Sequence, residues 1–222
     1  MINLITKLVL KPLARAVYRP VIEGLENVPR SGGVILASNH LSFIDSVVIP
    51  LTAPRQVFFL AKAEYFTGTG VKGALSRAFF GAINAVPVER GTYRSAQASL
   101  ESALEILRDG KAFGIYPEGT RSLDGRLYRG KTGVAWLALT AGVPVVPVAL
   151  EGPAEILPVG KRIPRLRKVT VRFGEPLDFS ELHGRARSAQ ARRQVTDEVM
   201  RSIQKLSGQE CAEVYNERPL AA

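Results

Sequence analysis

Residues 33–45 read GVILASNHLSFID, and the fold follows from how this stretch is divided. Gly33 to Ser38 is a short run almost without polar residues, and it shows neither helical nor alternating period. Such a run fits a strand buried on both faces, as in a parallel sheet covered by helices. Asn39-His40 closes it, and a helical pattern begins at Asp45 and runs to Leu51. The same unit recurs along the chain. Gln56 to Ala61, Asn84 to Val88, Ala112 to Tyr116, Val145 to Leu150 and Lys168 to Phe173 read as strands. Gly70 to Phe80, Ser95 to Arg108, Thr132 to Ala141 and Ser188 to Leu206 read as helices. This alternation predicts a single α/β domain whose central sheet is largely parallel or mixed and is covered by helices.

The chain has 222 residues, 46% hydrophobic and 23% charged. It is long enough to bury a core without disulfides, and its composition excludes disordered, collagenous and coiled-coil chains. Cys211 is the one cysteine, which excludes a disulfide framework and a multi-cysteine metal cluster. Thirty Lys and Arg against twenty Asp and Glu leave a net charge of +10. That balance attracts anions: nucleic acid, anionic membrane or phosphorylated substrates. His40 and His183 are the two histidines, so imidazole chemistry must use one of them.

Two apolar stretches need separate treatment. Residues 1–20, MINLITKLVLKPLARAVYRP, have no basic residue before the apolar run and carry Lys7 inside it, a poor signal peptide. At helical spacing Ile2, Ile5, Val9, Leu13 and Ala16 share one side, while Lys7, Lys11, Arg15 and Arg19 recur on the other. The expectation is an amphipathic interfacial helix over residues 1–20, preceding the α/β domain of residues 21–222. A first helix packed on the core with a basic solvated face has the same pattern. The stretch from Thr132 to Leu150 carries no charge, but Gly142, Pro144 and Pro147 divide it. It reads as a buried helix followed by a strand rather than a membrane span.

Polar residues cluster directly after three of the expected strands. Asn39-His40 follows the first, Glu89-Arg90 the strand Asn84 to Val88, and Pro117-Glu118-Gly119-Thr120-Arg121 the strand Ala112 to Tyr116. In a parallel sheet these junctions share one edge, where α/β proteins bind ligands. His40 and Asp45 would flank one tight turn, so the carboxylate can bond one imidazole nitrogen and leave the other to take a proton. An N-cap aspartate beside an ordinary loop histidine has the same spacing. No G-x-S-x-G elbow is present, and nothing marks Ser42 or Cys211 as a nucleophile. Direct attack by a substrate hydroxyl is therefore expected over a covalent enzyme intermediate. Arg90, Arg121 and Lys131 would suit a phosphate, although solvated surface charges look alike in so basic a chain. The acid-free stretch Lys161 to Arg172 would suit membrane phosphates or a nucleotide-bearing cofactor, or form a solvated edge. Gly68 to Gly73 matches G-x-G-x-x-G, the dinucleotide fingerprint. Six residues, Lys62 to Thr67, separate its glycines from the preceding strand, so the tight turn is not immediate, and a dinucleotide-binding oxidoreductase is the alternative of a different class. A non-catalytic basic module on membrane or nucleic acid is a third reading.

Together these residues resemble the 1-acylglycerol-3-phosphate acyltransferase family of glycerolipid synthesis. Asn39-His40 through Asp45 looks like the family's N-H-x-x-x-x-D motif, and Gly81 through Arg90 like its second block. Pro117 through Ser122 is similar to P-E-G-T-R-S, and Val143 through Val148 to the proline-bearing fourth block. Tyr116 stands where phenylalanine is usual, and Glu89 where aspartate is common. The resemblance implies acyl transfer from acyl-CoA, or acyl carrier protein, to the sn-2 hydroxyl of lysophosphatidic acid, giving phosphatidic acid. Another lysophospholipid as acceptor is the near alternative. By position, His40 would be the general base and Asp45 its partner. Arg90, Glu118, Gly119, Thr120 and Arg121 would hold the acceptor, with Lys131 near a further basic position. No metal or cofactor is implied, acyl-CoA being a substrate. The expected partners are acyl-CoA, lysophosphatidic acid and an anionic membrane surface, with no nucleic acid. The expected location is the cytoplasmic face of the cell membrane, peripheral or monotopic.

Overall fold

The computed structural model describes residues 18–89, 92–158, 160–161 and 163–217. The expected interfacial helix therefore falls, up to Ala16-Val17, outside the described residues, as do Arg90 and Arg162. The central sheet has seven strands: β1 (Val21–Glu23), β2 (Val34–Ser38), β3 (Val57–Lys62), β4 (Ala85–Val88), β5 (Ala112–Ile115), β7 (Val145–Glu151) and β8 (Thr170–Phe173). Their order is β1-β8-β7-β2-β5-β3-β4. A small parallel pair, β6 (Leu127–Tyr128) with β9 (Cys211–Ala212), lies apart from it. All neighbours in the main sheet pair parallel except β7 with β8.

The helices are α1 (Asp45–Thr52), α2 (Glu64–Thr67), α3 (Gly70–Ala82), α4 (Tyr93–Arg108), α5 (Gly133–Ala141), α6 (Pro153–Ile156) and α7 (Ala189–Ser207). Each strand and helix read from the sequence is present, within two residues at either end. The short elements β1, β6, β9, α2 and α6 are additional.

The period of two in β2 explains the layers. Ile35 and Ala37 face one core with Leu104, Leu107, Leu137, Val195 and Val199 from α4, α5 and α7. Val34 and Leu36 face a second core with Val48 and Ile49 of α1, Phe59, Val148 and Val171. With both faces covered, every residue of β2 is buried, which is why its sequence shows no alternation. The uncharged stretch after Thr132 is a buried helix that ends at Gly142, in the left-handed conformation at φ 65°, before β7 begins. Pro147 sits inside this central strand, normally a poor place for a residue without an N–H. Val145 bonds Leu177 through both backbone groups, and the Pro147 carbonyl accepts from the Gly174 N–H. The nitrogen of Pro147 thus faces the side where the chain is leaving the ladder, and the pairing with β2 is intact.

The glycine run at 68–73 has a packing role. Helix α2 stands between β3 and the glycines, so the strand–turn–helix of a dinucleotide site is not formed. A methyl group on Gly73 would overlap the Gly68 carbonyl, which also accepts from the Arg77 guanidinium. The expected alternative built on this motif is thereby corrected: these glycines let two backbone segments touch.

Candidate active site

The parallel pairing of β2 with β5 matches Ala37 to Ile115 and so brings the two loops that follow them side by side. Asp45, the first residue of α1, is fully buried. Its Oδ2 accepts from the Leu41 N–H at 2.7 Å and the Ser42 N–H at 2.8 Å, and lies 2.8 Å from His40 Nδ1. A carboxylate only accepts, so Nδ1–H is the donor in this contact and Nε2 is the ring nitrogen that Asp45 leaves unengaged. The His40 side chain is 17% exposed. Its ring lies flat on Tyr116, with centroids 3.9 Å apart and an interplanar angle of 9°. Tyr116 is fixed in turn by a hydroxyl contact with Ser46 at 2.9 Å and by stacking on Phe59. Burial, with Asp45 adding to it, holds the Tyr116 phenol well above its usual pKa and so neutral. The imidazole is therefore clamped in the plane that a carboxylate and an aromatic ring both dictate.

The backbone of His40 is held as closely as its ring. Its N–H donates to Glu118 Oε1 at 2.8 Å, and its carbonyl accepts from the Ser122 N–H at 2.7 Å. Glu118 Oε2 accepts from the Tyr128 N–H at 3.0 Å. Burial pushes the Glu118 carboxyl up to about 7, against the two N–H donors that favour its charged form. This side chain is fully buried. Glu118, expected from the resemblance to hold the acceptor, has both oxygens on backbone N–H groups beneath the loop, and these bonds position His40 and Tyr128.

The remaining candidates line the same loop. Gly119 has φ 80°, a conformation that disfavours any side chain, and a Cβ there would lie 3.1 Å from the Lys131 chain. Lys131 thus crosses directly over Gly119, held by its own N–H donating to the Pro117 carbonyl at 2.7 Å. Thr120 is half-buried, and Arg121 and Lys131 are exposed. The structure therefore gathers His40, Asp45, Glu118, Gly119, Thr120, Arg121 and Lys131 at one sheet edge. β4 ends on that edge too, but Arg90 itself lies outside the described residues. Among the described residues, no group of three or more His, Cys, Asp or Glu is placed to hold a metal ion.

Three positioning residues had no role assigned from sequence. Buried Asn39 accepts from the Leu150 N–H at 2.8 Å and donates to the Leu150 carbonyl at 3.0 Å and to Gln209 at 2.8 Å. Its amide ties the end of β2 to β7. Ser42 Oγ donates to the Leu157 carbonyl at 2.8 Å, which gives the serine a structural task. Tyr116 is the third, and its place one residue beyond β5 was the available signal. Beside the site lies a cavity of about 390 Å³. Ile44, Val47 and Leu51, Phe79 of α3, and Leu157 and Pro164 are among its apolar lining.

Residues 19–151 match the model of the Acyltransferase family. A 1-acyl-sn-glycerol-3-phosphate acyltransferase of Bacillus subtilis is 31% identical over 169 residues, covering 74% of this chain and 78% of that protein. A chloroplastic one of Arabidopsis thaliana is 37% identical over 144 residues, covering 64% of this chain. The match spans 39% of the Arabidopsis protein and 40% of a similar Brassica napus protein. The crystal structure of the 1-acyl-sn-glycerophosphate acyltransferase PlsC from Thermotoga maritima superposes with a TM-score of 0.69 at 29% identity. That superposition covers 92% of this chain and 79% of the other. Fold and sequence likeness agree: the chain belongs to the acyltransferase family that includes the 1-acyl-sn-glycerol-3-phosphate acyltransferases.

Proposed function

We propose that this chain acylates the sn-2 hydroxyl of 1-acylglycerol-3-phosphate, using a thioester donor, acyl-CoA, with His40 as general base. The observation that carries the reading is the 2.8 Å contact of His40 Nδ1 with the buried Asp45 carboxylate. It leaves Nε2 as the proton acceptor. The acceptor hydroxyl gives its proton to Nε2 as its oxygen attacks the thioester carbonyl. The tetrahedral intermediate then collapses, the carbon–sulfur bond breaks, and the thiolate recovers the proton from Nε2–H. Asp45 stabilises the imidazolium that exists between these steps. A thioester is already activated, so the demands on the protein are deprotonation, positioning and charge stabilisation.

Arg121 and Lys131, with Arg90 from the neighbouring junction, are assigned to the phosphate of the acceptor, Arg offering the planar fork that suits it. Gly119 and Thr120 bring the backbone close to that group. The apolar cavity is assigned to an acyl chain, since its volume falls within the ordinary range of ligand pockets and its walls are apolar. Among the described residues no helix is long and apolar enough to cross a membrane. Peripheral association with an anionic bilayer on its cytoplasmic face accordingly completes the reading.

The test pairs oleoyl-CoA and oleoyl-acyl carrier protein with lysophosphatidic acid and lysophosphatidylcholine, and identifies the products by mass spectrometry. Phosphatidic acid from oleoyl-CoA is the expected result. Product from the carrier protein alone would replace the donor, and product from lysophosphatidylcholine alone would replace the acceptor.

A further inference from the structure

Two acid-free segments flank the apolar cavity. Helix α3 carries Val71, Leu75 and Phe79 at a spacing of four, on one face, and they are 86%, 72% and 42% exposed. The loop 160–169 carries Ile163 and Leu166, 82% and 71% exposed. Single exposed apolar residues mean nothing, but here five stand on two segments that line one cavity, an exposure that solvent disfavours. Phe79 and Pro164 both line the cavity, so the two segments adjoin one opening. Phe43, 37% exposed, lies there too.

The charges within these two segments have one sign, with Glu64 and Glu155 standing just outside them. Lys161, Arg165, Arg167 and Lys168 alternate with the loop's apolar residues, and all four are exposed. Lys72 is exposed on α3. No Asp or Glu occurs from residue 156 to 174, or from 65 to 88. Arg172, by contrast, is engaged by Glu23 and Glu151 and takes no part. Nucleic acid would meet cations but not Ile163, Leu166, Val71 and Leu75. A protein partner would not require acids to be excluded from both segments. Cations interleaved with projecting aliphatic side chains fit the boundary between anionic headgroups and acyl chains. Tyr18, the first described residue, lines the same cavity.

We propose that the exposed face of α3 and the loop 160–169 together dock on an anionic bilayer, with the cavity mouth turned toward the lipid. This rests on the reading of the cavity as a lipid-chain site. It orients that site so that an acyl chain passes from bilayer to cavity without crossing water.

The test uses the full chain and sedimentation with two vesicle types, phosphatidylcholine alone and phosphatidylcholine with phosphatidylglycerol. Three double variants are compared with wild type: Arg165→Glu with Arg167→Glu, Ile163→Ser with Leu166→Ser, and Val71→Ser with Leu75→Ser. Wild type is expected to bind the anionic vesicles at least tenfold more tightly than the neutral ones. The arginine variant should lose that affinity about 30-fold or more, and each serine variant about tenfold. Acyl transfer to substrate in detergent micelles should stay within about twofold in all three. Vesicle binding unchanged in every variant overturns the proposal. So does a lowered melting temperature with binding intact, which would assign the stripe on α3 to residues 1–17. Micellar activity lost without loss of vesicle binding would move the segments into the substrate site. A wild type that binds vesicles but transfers no acyl group would overturn the functional reading and leave the docking face standing.

Discussion

Asp45 concentrates the chemistry on one oxygen. Oδ2 serves His40 and two backbone N–H groups, while Oδ1 is buried with no hydrogen-bond partner among the described residues. Asparagine at this position keeps an oxygen for those three donors and loses the charge that favours imidazolium. Asp45→Asn is therefore expected to lower kcat on the order of 10²-fold or more, with KM changing little. Steady-state kinetics on the folded variant measure both; a loss confined to KM would contradict the assignment. Glu118 yields a prediction with a definite sign. Its folded-state pKa of about 7 lies above the ordinary value of 4.5, so the folded chain holds this proton more tightly than the unfolded chain. The associated stability is complete below pH 4.5 and is lost as pH rises through about 7. Glu118→Gln does not titrate. Relative to wild type it should gain stability between pH 4.5 and 7.5, by up to about 3 kcal/mol. A constant cost of about 1–3 kcal/mol for the lost acceptor is superimposed. Urea unfolding across that range measures the difference, and parallel curves would contradict the account.

At the scale of elements, the site depends on packing two strands below it. Gly114 of β5 gives its space to Phe59, whose ring would overlap a methyl group there. Phe59 supports Tyr116, and Tyr116 supports the His40 ring. Gly114→Ala is expected to cost about 1–3 kcal/mol in stability, and also to lower kcat by displacing the stack. A variant that is less stable but fully active would break this chain of support. The long elements were legible in the sequence because burial on two faces erases alternation in β2, β5 and β7, and Gly or Pro closes them. β1, β6 and β9, of two or three residues each, were not, since distant pairing alone defines them. The polar clusters after three strands marked the candidate site, and the pairing of β2 with β5 brings two of them side by side. The role of Glu118 was hidden, because its partners at His40 and Tyr128 are joined only by the fold. Asn39 is a stronger case: its bonds reach Leu150 and Gln209, and no local pattern announces them.

For the molecule as a whole, the net charge of +10 is unevenly distributed, which composition alone could not reveal. Some cations are paired, as Arg172 and Arg193 are, while those of the loop 160–169 stand free of acidic neighbours in sequence. The apolar cavity joins that loop to the His40–Asp45 turn, since Ile44 belongs to the turn and Pro164 to the loop. Filling it should alter which chains are accepted. Val47→Phe is expected to lower kcat/KM for palmitoyl donors by about tenfold relative to decanoyl donors, on the scale of one or two misplaced methylenes. Equal loss for both donors would place the acyl chain elsewhere.

The most direct test of the central claim is thiol release from oleoyl-CoA, followed with and without lysophosphatidic acid, for wild type and His40→Ala. Release that requires the acceptor in wild type, and falls on the order of 10²- to 10⁴-fold in the variant, is the result predicted by base-assisted transfer at His40. Acceptor-dependent release that survives in a folded His40→Ala would contradict it.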